Sequence, residues 1–264
     1  MMYLKSFYKK NIWSQRFTIK ALVYREINQR YKQSALGWLW ALVRPLLIAG
    51  VFTFLFGNVS KLNYENTPYP LVVFGGLLPW ELFSNVLIKS TSSLLRYKKL
   101  ITNLSTPKYL FPLVAAFSCL FEFIILFIIT LSIFIGYQFP ISKTILLYPF
   151  LALFVLLAGL SIGFWLTTFT IWFRDIKFAI GNLLQIMMLI TPVGYSTVSI
   201  PENYKFICNI NPLTVIMNTS RYLLLGSNRP SNESMFYSSL FFIILITTGF
   251  LFFNAKKYKF ADIM

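Results

Sequence analysis

Six long apolar stretches, separated by short polar segments, fill most of the chain between residues 38 and 254. The hydrocarbon core of a bilayer is about 30 Å thick, and roughly 20 helical residues cross it. The pattern predicts an all-α membrane protein with six transmembrane helices over about 38–57, 70–93, 109–137, 145–173, 178–196 and 235–254. Residues 1–37 then form an amphipathic segment on the cytoplasmic face, and residues 255–264 form a basic cytoplasmic tail.

The segment before the first span contains a shorter apolar repeat. We expect Ser14 to cap a helix whose apolar side chains recur at steps of three or four. These side chains share one face and are Phe17, Ala21, Tyr24, Ile27 and Tyr31. Such a helix is typical of a membrane surface, with its aromatic rings at headgroup depth. It is either a passive anchor or also a docking groove for a soluble partner.

Two other segments are too short to span. The basic stretch from Arg96 to Leu104 predicts one or two helical turns lying across the membrane, with a solvated loop as the alternative. Within the predicted outer segment 197–232, Asn211-Pro212 starts a second apolar stretch, which Gly226 closes. About 14 residues predict a re-entrant or interfacial helix. Non-helical backbone at membrane depth is tolerated where it is buried in protein or lines a water-filled path. This stretch therefore indicates a conduit.

Basic charge is distributed unevenly along the chain. There are 24 Lys and Arg residues against 8 Asp and Glu residues, and the net charge is +16. Most of the basic residues precede span one, lie between spans two and three or four and five, or follow span six. Positive residues favour cytoplasmic loops, so both termini are predicted in the cytoplasm. We predict no nucleic-acid partner, because the groove-reading and base-stacking motifs are missing.

Composition leaves little material for catalysis. Charged residues make up 12 % of the chain, and histidine is absent. General acid–base and metal chemistry use mostly His, Asp and Glu, and the Gly-x-x-x-x-Gly-Lys phosphate loop does not occur. Cys119 and Cys208 predict neither a disulfide framework nor a metal site. We therefore predict no catalytic, metal or cofactor site in this chain. A membrane glycosyltransferase or acyltransferase is the rival that this composition disfavours.

Some residues inside the spans need an explanation. Glu81 and Glu122 are each predicted to be protonated, to bond a neighbouring helix or to face a wet cavity. Gly75-Gly76 with Pro79 predicts either a close helix approach or a break in the second span. Arg44 is expected to snorkel to the inner surface, with a salt bridge as the alternative.

Aromatic residues make up 19 % of the chain and include several within spans, such as Phe52, Phe56 and Trp80. Sugars have apolar faces that stack on aromatic rings, so a conduit lined in this way would pass a glycan. Packing against lipid or against other helices is the alternative for each ring.

A set of short motifs follows in fixed order along the chain. They are Tyr31-Lys32-Gln33-Ser34-x-Leu36-Gly37-x-x-Trp40 with Pro45-Leu46, Gly76-Leu77-x-Pro79-Trp80, Arg174-Asp175-Ile176, Thr191-Pro192-x-x-Tyr195 and Asn211-Pro212-Leu213. Together they resemble the ABC-2 type permeases of polysaccharide export over essentially the whole chain. Arg44 departs from that pattern, which would have an uncharged residue before Pro45.

The resemblance implies an ABC-2 (type V exporter) fold and a particular assembly. A homodimer of six-span permeases in the bacterial inner membrane would bind two copies of a separate ATPase subunit. That subunit would hold the ATP and Mg²⁺. The cargo would be a lipid-linked surface polysaccharide, with O-antigen favoured over teichoic acid or capsule. A small drug-like cargo is the rival within the same family.

The resemblance also implies roles for named residues. The stripe from Phe17 to Tyr31 is similar to the family's interface helix. The coupling helix, which seats in the ATPase, would use Arg96, Tyr97, Lys98, Lys99, Leu100 and Leu104. Candidates for the channel or substrate path are Trp38, Phe52, Phe56, Trp80, Glu81, Thr191, Pro192 and Tyr195. Structural motif residues are Arg174, Asp175, Asn211 and Pro212, and Asp175 is expected to cap the fifth span.

Overall fold

The computed structural model describes residues 15–31, 39–59, 67–103, 107–197 and 200–257, together with Phe260. The long elements in these ranges are all helices, which confirms the all-α prediction. They are α1 (Arg16–Tyr31), α2 (Trp40–Phe52), α3 (Tyr69–Arg96), α4 (Lys98–Asn103), α5 (Leu110–Gly136), α6 (Tyr148–Trp172), α7 (Ile176–Ile190), α8 (Lys205–Ile210), α9 (Pro212–Leu225) and α10 (Asn232–Lys256). A π-helical turn, Thr53–Val59, continues α2, and 3₁₀ turns, Lys143–Leu147 and Glu202–Tyr204, precede α6 and α8.

Helix α3 is the centre of the molecule. It packs against α5, α6 and α9, while α10 packs on the far side of α6. In the most apolar 18-residue window of α3, 89 % of the residues are buried, against 22 % in α5 and in α10. The two outer helices therefore present most of their apolar surface away from the protein, as expected for helices that face lipid.

Small residues let α3 and α6 approach closely. A Cβ added to Gly159 would lie 2.8 Å from Val86 Cγ1, and one on Gly163 would lie 2.9 Å from Ser90 Cβ. Thr167 Oγ1 also donates to Ser90 O over 2.7 Å. Between membrane helices, small residues and hydroxyl bonds take the place of the hydrophobic driving force that works in water.

Four helical segments within the described ranges are long and apolar enough to cross a membrane. They are Tyr69–Arg96, Leu110–Gly136, Lys143–Trp172 and Asn232–Lys256. Two shorter apolar helices, Val43–Gly57 and Ile176–Ile190, lie within or overlap predicted spans one and five. The four long helices match predicted spans two, three, four and six, whereas a total of six spans stays a prediction.

The helix ends agree only partly with the expected caps. Asn211 caps α9 by accepting from Leu213 N over 3.0 Å, and Gly226 ends α9 with a φ of 69°. Both features match the sequence prediction. Asp175 stands at the cap position of α7, but its backbone is already helical and its side chain makes no capping bond, so that prediction is wrong. Ser14 lies outside the described residues.

Candidate functional site

A buried arginine joins α3 and α9 to the segment that follows α7. Arg221 is 1 % exposed. Its Nε donates to Val72 O over 3.2 Å, and its Nη2 donates to Pro192 O and Val193 O over 2.8 and 2.7 Å. Hydrogen bonds from charged donors are stronger than neutral ones. We call Arg221 and the backbone of 72–76 and 191–194 the Arg221 junction.

Two glycines of α3 make room for this arginine. A Cβ on Gly75 would lie 2.9 Å from Arg221 Cγ, and one on Gly76 would lie 2.7 Å from Arg221 Nη2 and overlap Val193 O. Of the two alternatives for Gly75-Gly76, close approach is therefore the correct one.

The predicted break at Pro79 does not occur, because α3 runs without interruption from Tyr69 to Arg96. Proline has no N–H, so it leaves the carbonyl four residues earlier, that of Gly75, without its helical partner. Ser220 Oγ donates to Gly75 O over 2.5 Å. The buried Tyr148 hydroxyl in turn lies 2.8 Å from Ser220 Oγ. A neighbouring helix thus supplies the hydrogen bond that the proline removed.

Side chains around the Arg221 junction hold the 191–195 turn in place. Asn211 Nδ2 donates to Thr191 Oγ1 over 2.9 Å. Tyr69 Oη donates to Gly194 O over 2.7 Å, and Tyr195 Oη donates to Leu189 O over 2.8 Å. The start of α3, the turn after α7 and the start of α9 are therefore one connected hydrogen-bonded unit.

A different kind of junction stands at the other end of α3. Glu26 of α1 is 7 % exposed and forms an ion pair with Arg96, the last residue of α3. The Tyr97 hydroxyl donates to the other carboxylate oxygen of Glu26 over 3.1 Å. Burial, and then the adjacent Glu26 carboxylate, raise the pKa of Tyr97 well above its usual range. Tyr97 therefore stays a donor at every physiological pH. We call Glu26, Arg96 and Tyr97 the Glu26 junction.

A polar cavity of about 380 Å³ lies beside the Glu26 junction. Its walls come from α1, α3 and α5 and contain two cations and two carboxylates. The residues that line the cavity are Glu26, Ile27, Gln29, Ile88, Lys89, Arg96, Ser118 and Glu122. Lys89 Nζ lies 2.9 Å from Glu122 Oε1, and both side chains are nearly buried. Glu122 of α5 is thus bonded to Lys89 of α3. This agrees with the expectation that Glu122 bonds a neighbouring helix.

Glu81 is also buried, and its Oε2 accepts from Asn85 Nδ2 over 3.2 Å, one turn further along α3. Arg44 is exposed, and its expected snorkelling to the inner surface stays a prediction.

The basic stretch after α3 is helical, as predicted, over Lys98–Asn103. Lys98 is exposed, whereas Ile101 is 6 % exposed and Leu100 packs partly against the core. Leu104 and the side chain of Lys99 lie outside the described residues. The described surface of α4 is therefore basic at Lys98, next to Arg96 at the end of α3, and the Leu100 side chain packs partly inside the protein.

The apolar stripe predicted on α1 points away from the protein. Phe17 is 70 % and Tyr24 69 % exposed. Ala21 is also exposed, Ile27 is half-buried, and the side chain of Tyr31 lies outside the described part. The opposite side, with Ile19 and Leu22, packs against the core. This orientation fits the expected contact with a membrane surface or a partner, but the role itself stays a prediction.

The channel candidates divide into two groups. Phe52 and Phe56 stack with ring centroids 5.8 Å apart, and Tyr195 lies 6.1 Å beyond Phe56, which gives an aromatic row. Trp80 is 3 % exposed and packs against Phe83. Thr191 and Pro192 are buried in the Arg221 junction, and Trp38 lies outside the described residues. Phe52, at 8 % exposed, is buried as well, whereas Phe56 and Tyr195 are half-buried. The channel role of all these residues stays a prediction.

Sequence reasoning missed the residues that organise both junctions. Glu26 is the sole carboxylate among the first 37 residues, which was a usable signal. Arg221 is the one charged residue in the apolar stretch from Pro212 to Leu225, another such signal. Nothing local marks Ser220 or Tyr148, because their importance comes from a proline more than 60 residues away in the chain.

The chain belongs to the ABC-2 type transporter family, which matches residues 18–225. This range contains both junctions, the cavity and helices α1 to α9 apart from the first two residues of α1.

Several curated relatives match nearly the full length of the chain. The O-antigen export system permease protein RfbA of Myxococcus xanthus is 26 % identical, over 96 % of this chain and 97 % of its own. The protein of the same name from Klebsiella pneumoniae is 28 % identical, over 91 % and 92 %. The polysialic acid transport protein KpsM of Escherichia coli is 23 % identical, over 92 % and 95 %.

Proposed function

We propose that this chain is the permease subunit of an ATP-driven transporter that exports a lipid-linked surface polysaccharide, O-antigen in the first place, across the bacterial inner membrane. The observation that carries the proposal is the full-length match to permeases named for O-antigen export. The long apolar helices supply the membrane setting.

The working unit would be a homodimer of six-span permeases with two copies of a separate ATPase subunit. That subunit would bind ATP and Mg²⁺, because this sequence has no phosphate-binding loop of its own. Both termini and α4 would face the cytoplasm, where the positive residues belong.

Helix α3 would transmit the motion. It extends about 42 Å at 1.5 Å per residue, from Tyr69 beside the 191–195 turn to Arg96 in the Glu26 junction. Closure of the ATPase dimer would push α4. The Glu26 junction would pass that displacement to α1 and α3 together, and α3 would carry it to the Arg221 junction.

The coupling role of α4 is tested by Lys98→Glu. Lys98 is exposed, so the charge reversal should leave the fold intact and weaken docking to the ATPase by an order of magnitude or more. Leu100→Asp, by contrast, disturbs the permease core as well. The measurement is co-purification with the ATPase, together with ATP hydrolysis stimulated by the permease. Lys177→Glu, also exposed and predicted to be cytoplasmic, is the matched control. Equal binding by both variants would remove α4 from the interface.

The division of labour and the cargo need their own experiments. The purified chain alone should hydrolyse no ATP, and robust hydrolysis would refute a separate motor. Deleting the gene should leave lipid-linked glycan on the cytoplasmic side of the membrane, with the polymer missing from the cell surface. Normal surface display after deletion would contradict the proposed export role.

Capsule export is the second candidate. The capsule polysaccharide export inner-membrane protein CtrC of Neisseria meningitidis, which is 25 % identical over 93 % of both chains, supports it. Analysis of the glycan retained in the deletion strain separates the two cargoes.

A further inference from the structure

We propose that the polar cavity between α1, α3 and α5 binds the headgroup of a zwitterionic phospholipid, phosphatidylethanolamine. The proposal concerns the membrane setting of the chain and does not depend on a polysaccharide cargo. It rests on the position of the cavity, the charges on its walls and the donors available there.

The cavity is placed like a lipid headgroup site. Arg96 and Lys89 are both on α3, seven residues apart, so they mark two levels about 10 Å apart along its axis. Lys89 lies within a helix long and apolar enough to span, and Arg96 ends that helix. The cavity therefore extends from the end of an apolar helix about two turns inward, a depth that phospholipid headgroups and their glycerol esters occupy.

The charges on the walls are mixed and balanced. Lys89 and Arg96 supply two positive groups, and Glu26 and Glu122 supply two negative groups. A purely anionic ligand would meet both carboxylates, and a purely cationic ligand would meet both bases. A headgroup with one phosphate and one ammonium matches both signs at once, because opposite charges attract at short range and like charges repel.

The cations have donors to offer a phosphate. An ammonium has three N–H donors and a guanidinium five. Lys89 donates to Glu122, and Arg96 donates to Glu26 and to Ser92. These bonds use fewer donors than the two side chains carry. The primary ammonium of phosphatidylethanolamine can in turn donate to carboxylate oxygens, whereas the quaternary ammonium of phosphatidylcholine has no N–H.

The size of the cavity fits a headgroup. About 380 Å³ falls at the small end of the range for ligand pockets, about 300–1,000 Å³. Ile27 and Ile88 add apolar wall beside the charged groups, which suits the glycerol and the first carbons of the chains.

The test is native mass spectrometry of the purified full chain with added lipids. Phosphatidylethanolamine should be retained roughly tenfold more than phosphatidylglycerol or phosphatidylcholine, a ratio that corresponds to one good charged hydrogen bond. Soluble glycerophosphoethanolamine should compete weakly, which separates a membrane lipid from a free phosphate ester. Equal retention of all three lipids would overturn the proposal, as would tighter binding of an isoprenoid pyrophosphate.

Two variants show whether this cavity is the site. Gln29→Trp places a large ring at the exposed edge of the cavity and should abolish the preference. Ala21→Trp adds the same ring at another exposed, uncharged position of α1, outside the cavity lining, and is the matched control. Glu122→Gln should shift the preference towards phosphatidylglycerol, because it removes one negative charge from the cavity wall. If Glu122→Gln fails to fold, the Gln29→Trp comparison still decides. A preference unchanged by Gln29→Trp would place the lipid elsewhere.

Discussion

The two ends of α3 are held by opposite means. At the Arg221 junction, one buried arginine bonds backbone carbonyls, and glycines give it space. At the Glu26 junction, side chains bond side chains, and Arg96 has 42 % of its side chain exposed. Backbone carbonyls are fixed by the fold, whereas the Arg96 side chain reaches solvent and can exchange its ion-pair partner for water. The comparison teaches that α3 is anchored firmly at one end and held adjustably at the other.

The largest effect is expected from Arg221→Met. The change leaves the carbonyls of Val72, Pro192 and Val193 without their donor in a buried site. Since bonds to charged groups contribute about 1.5–3 kcal/mol each, we expect a loss of at least about 3 kcal/mol of stability. Thermal unfolding of the detergent-purified protein measures it. Arg229→Met is the control, because Arg229 is exposed and bonds only the nearby Asn232 among the contacts described. Equal losses of stability in both variants would show that the Arg221 junction does not anchor α3.

A second experiment asks whether Ser220 replaces the bond that Pro79 removes. Ser220→Ala should cost about 1–3 kcal/mol, because it leaves the buried Gly75 carbonyl unsatisfied. In a Pro79→Ala background the helix gains an N–H for that carbonyl, so the same change should cost clearly less. A double-mutant cycle on unfolding free energies gives the coupling. Strict additivity would show that the serine and the proline act independently.

At the Glu26 junction, Glu26→Gln removes the charge but keeps a hydrogen-bonding side chain of the same size. We expect about 1 kcal/mol of lost stability. We also expect a several-fold loss of permease-stimulated ATP hydrolysis. Glu202→Gln removes an exposed carboxylate paired with Lys205 and is the matched control. Unchanged stimulation with Glu26→Gln would mean that this junction is structural and does not transmit motion.

The smallest effect is expected from Tyr97→Phe, which deletes one hydroxyl bond and should cost about 1 kcal/mol or less. Tyr97 has its pKa raised from 10.0 in the folded protein, by burial first and then by Glu26. Its contribution is therefore complete below pH 10 and is lost as the pH rises through the higher folded value, because the unfolded chain ionises first. Stability above pH 10 should fall less steeply in the variant. Identical pH slopes for variant and parent would contradict the environment assigned to Tyr97.

The apolar pattern predicted most of the helices because burial and helix length are local properties. Residues 109–137 predict a helix that the structure has at Leu110–Gly136, and Asn211 with Gly226 marks the ends of α9. The pairing of Lys89 with Glu122 was not predictable, since the two residues are 33 positions apart and on different helices. The choice between a break and a continuous helix at Pro79 was open for the same reason. A proline breaks a helix when nothing replaces its bond, and the replacement comes from α9.

The continuity of α3 has a consequence for how a long cargo could pass. A rigid helix that crosses a membrane moves its two ends at the same time. It is therefore poorly suited to opening a gate at one end while a gate at the other end stays closed. Such a helix is better suited to a transporter whose channel widens at both openings together. A polymer that is longer than the bilayer is thick needs a channel open at both ends, because it occupies both openings during its passage.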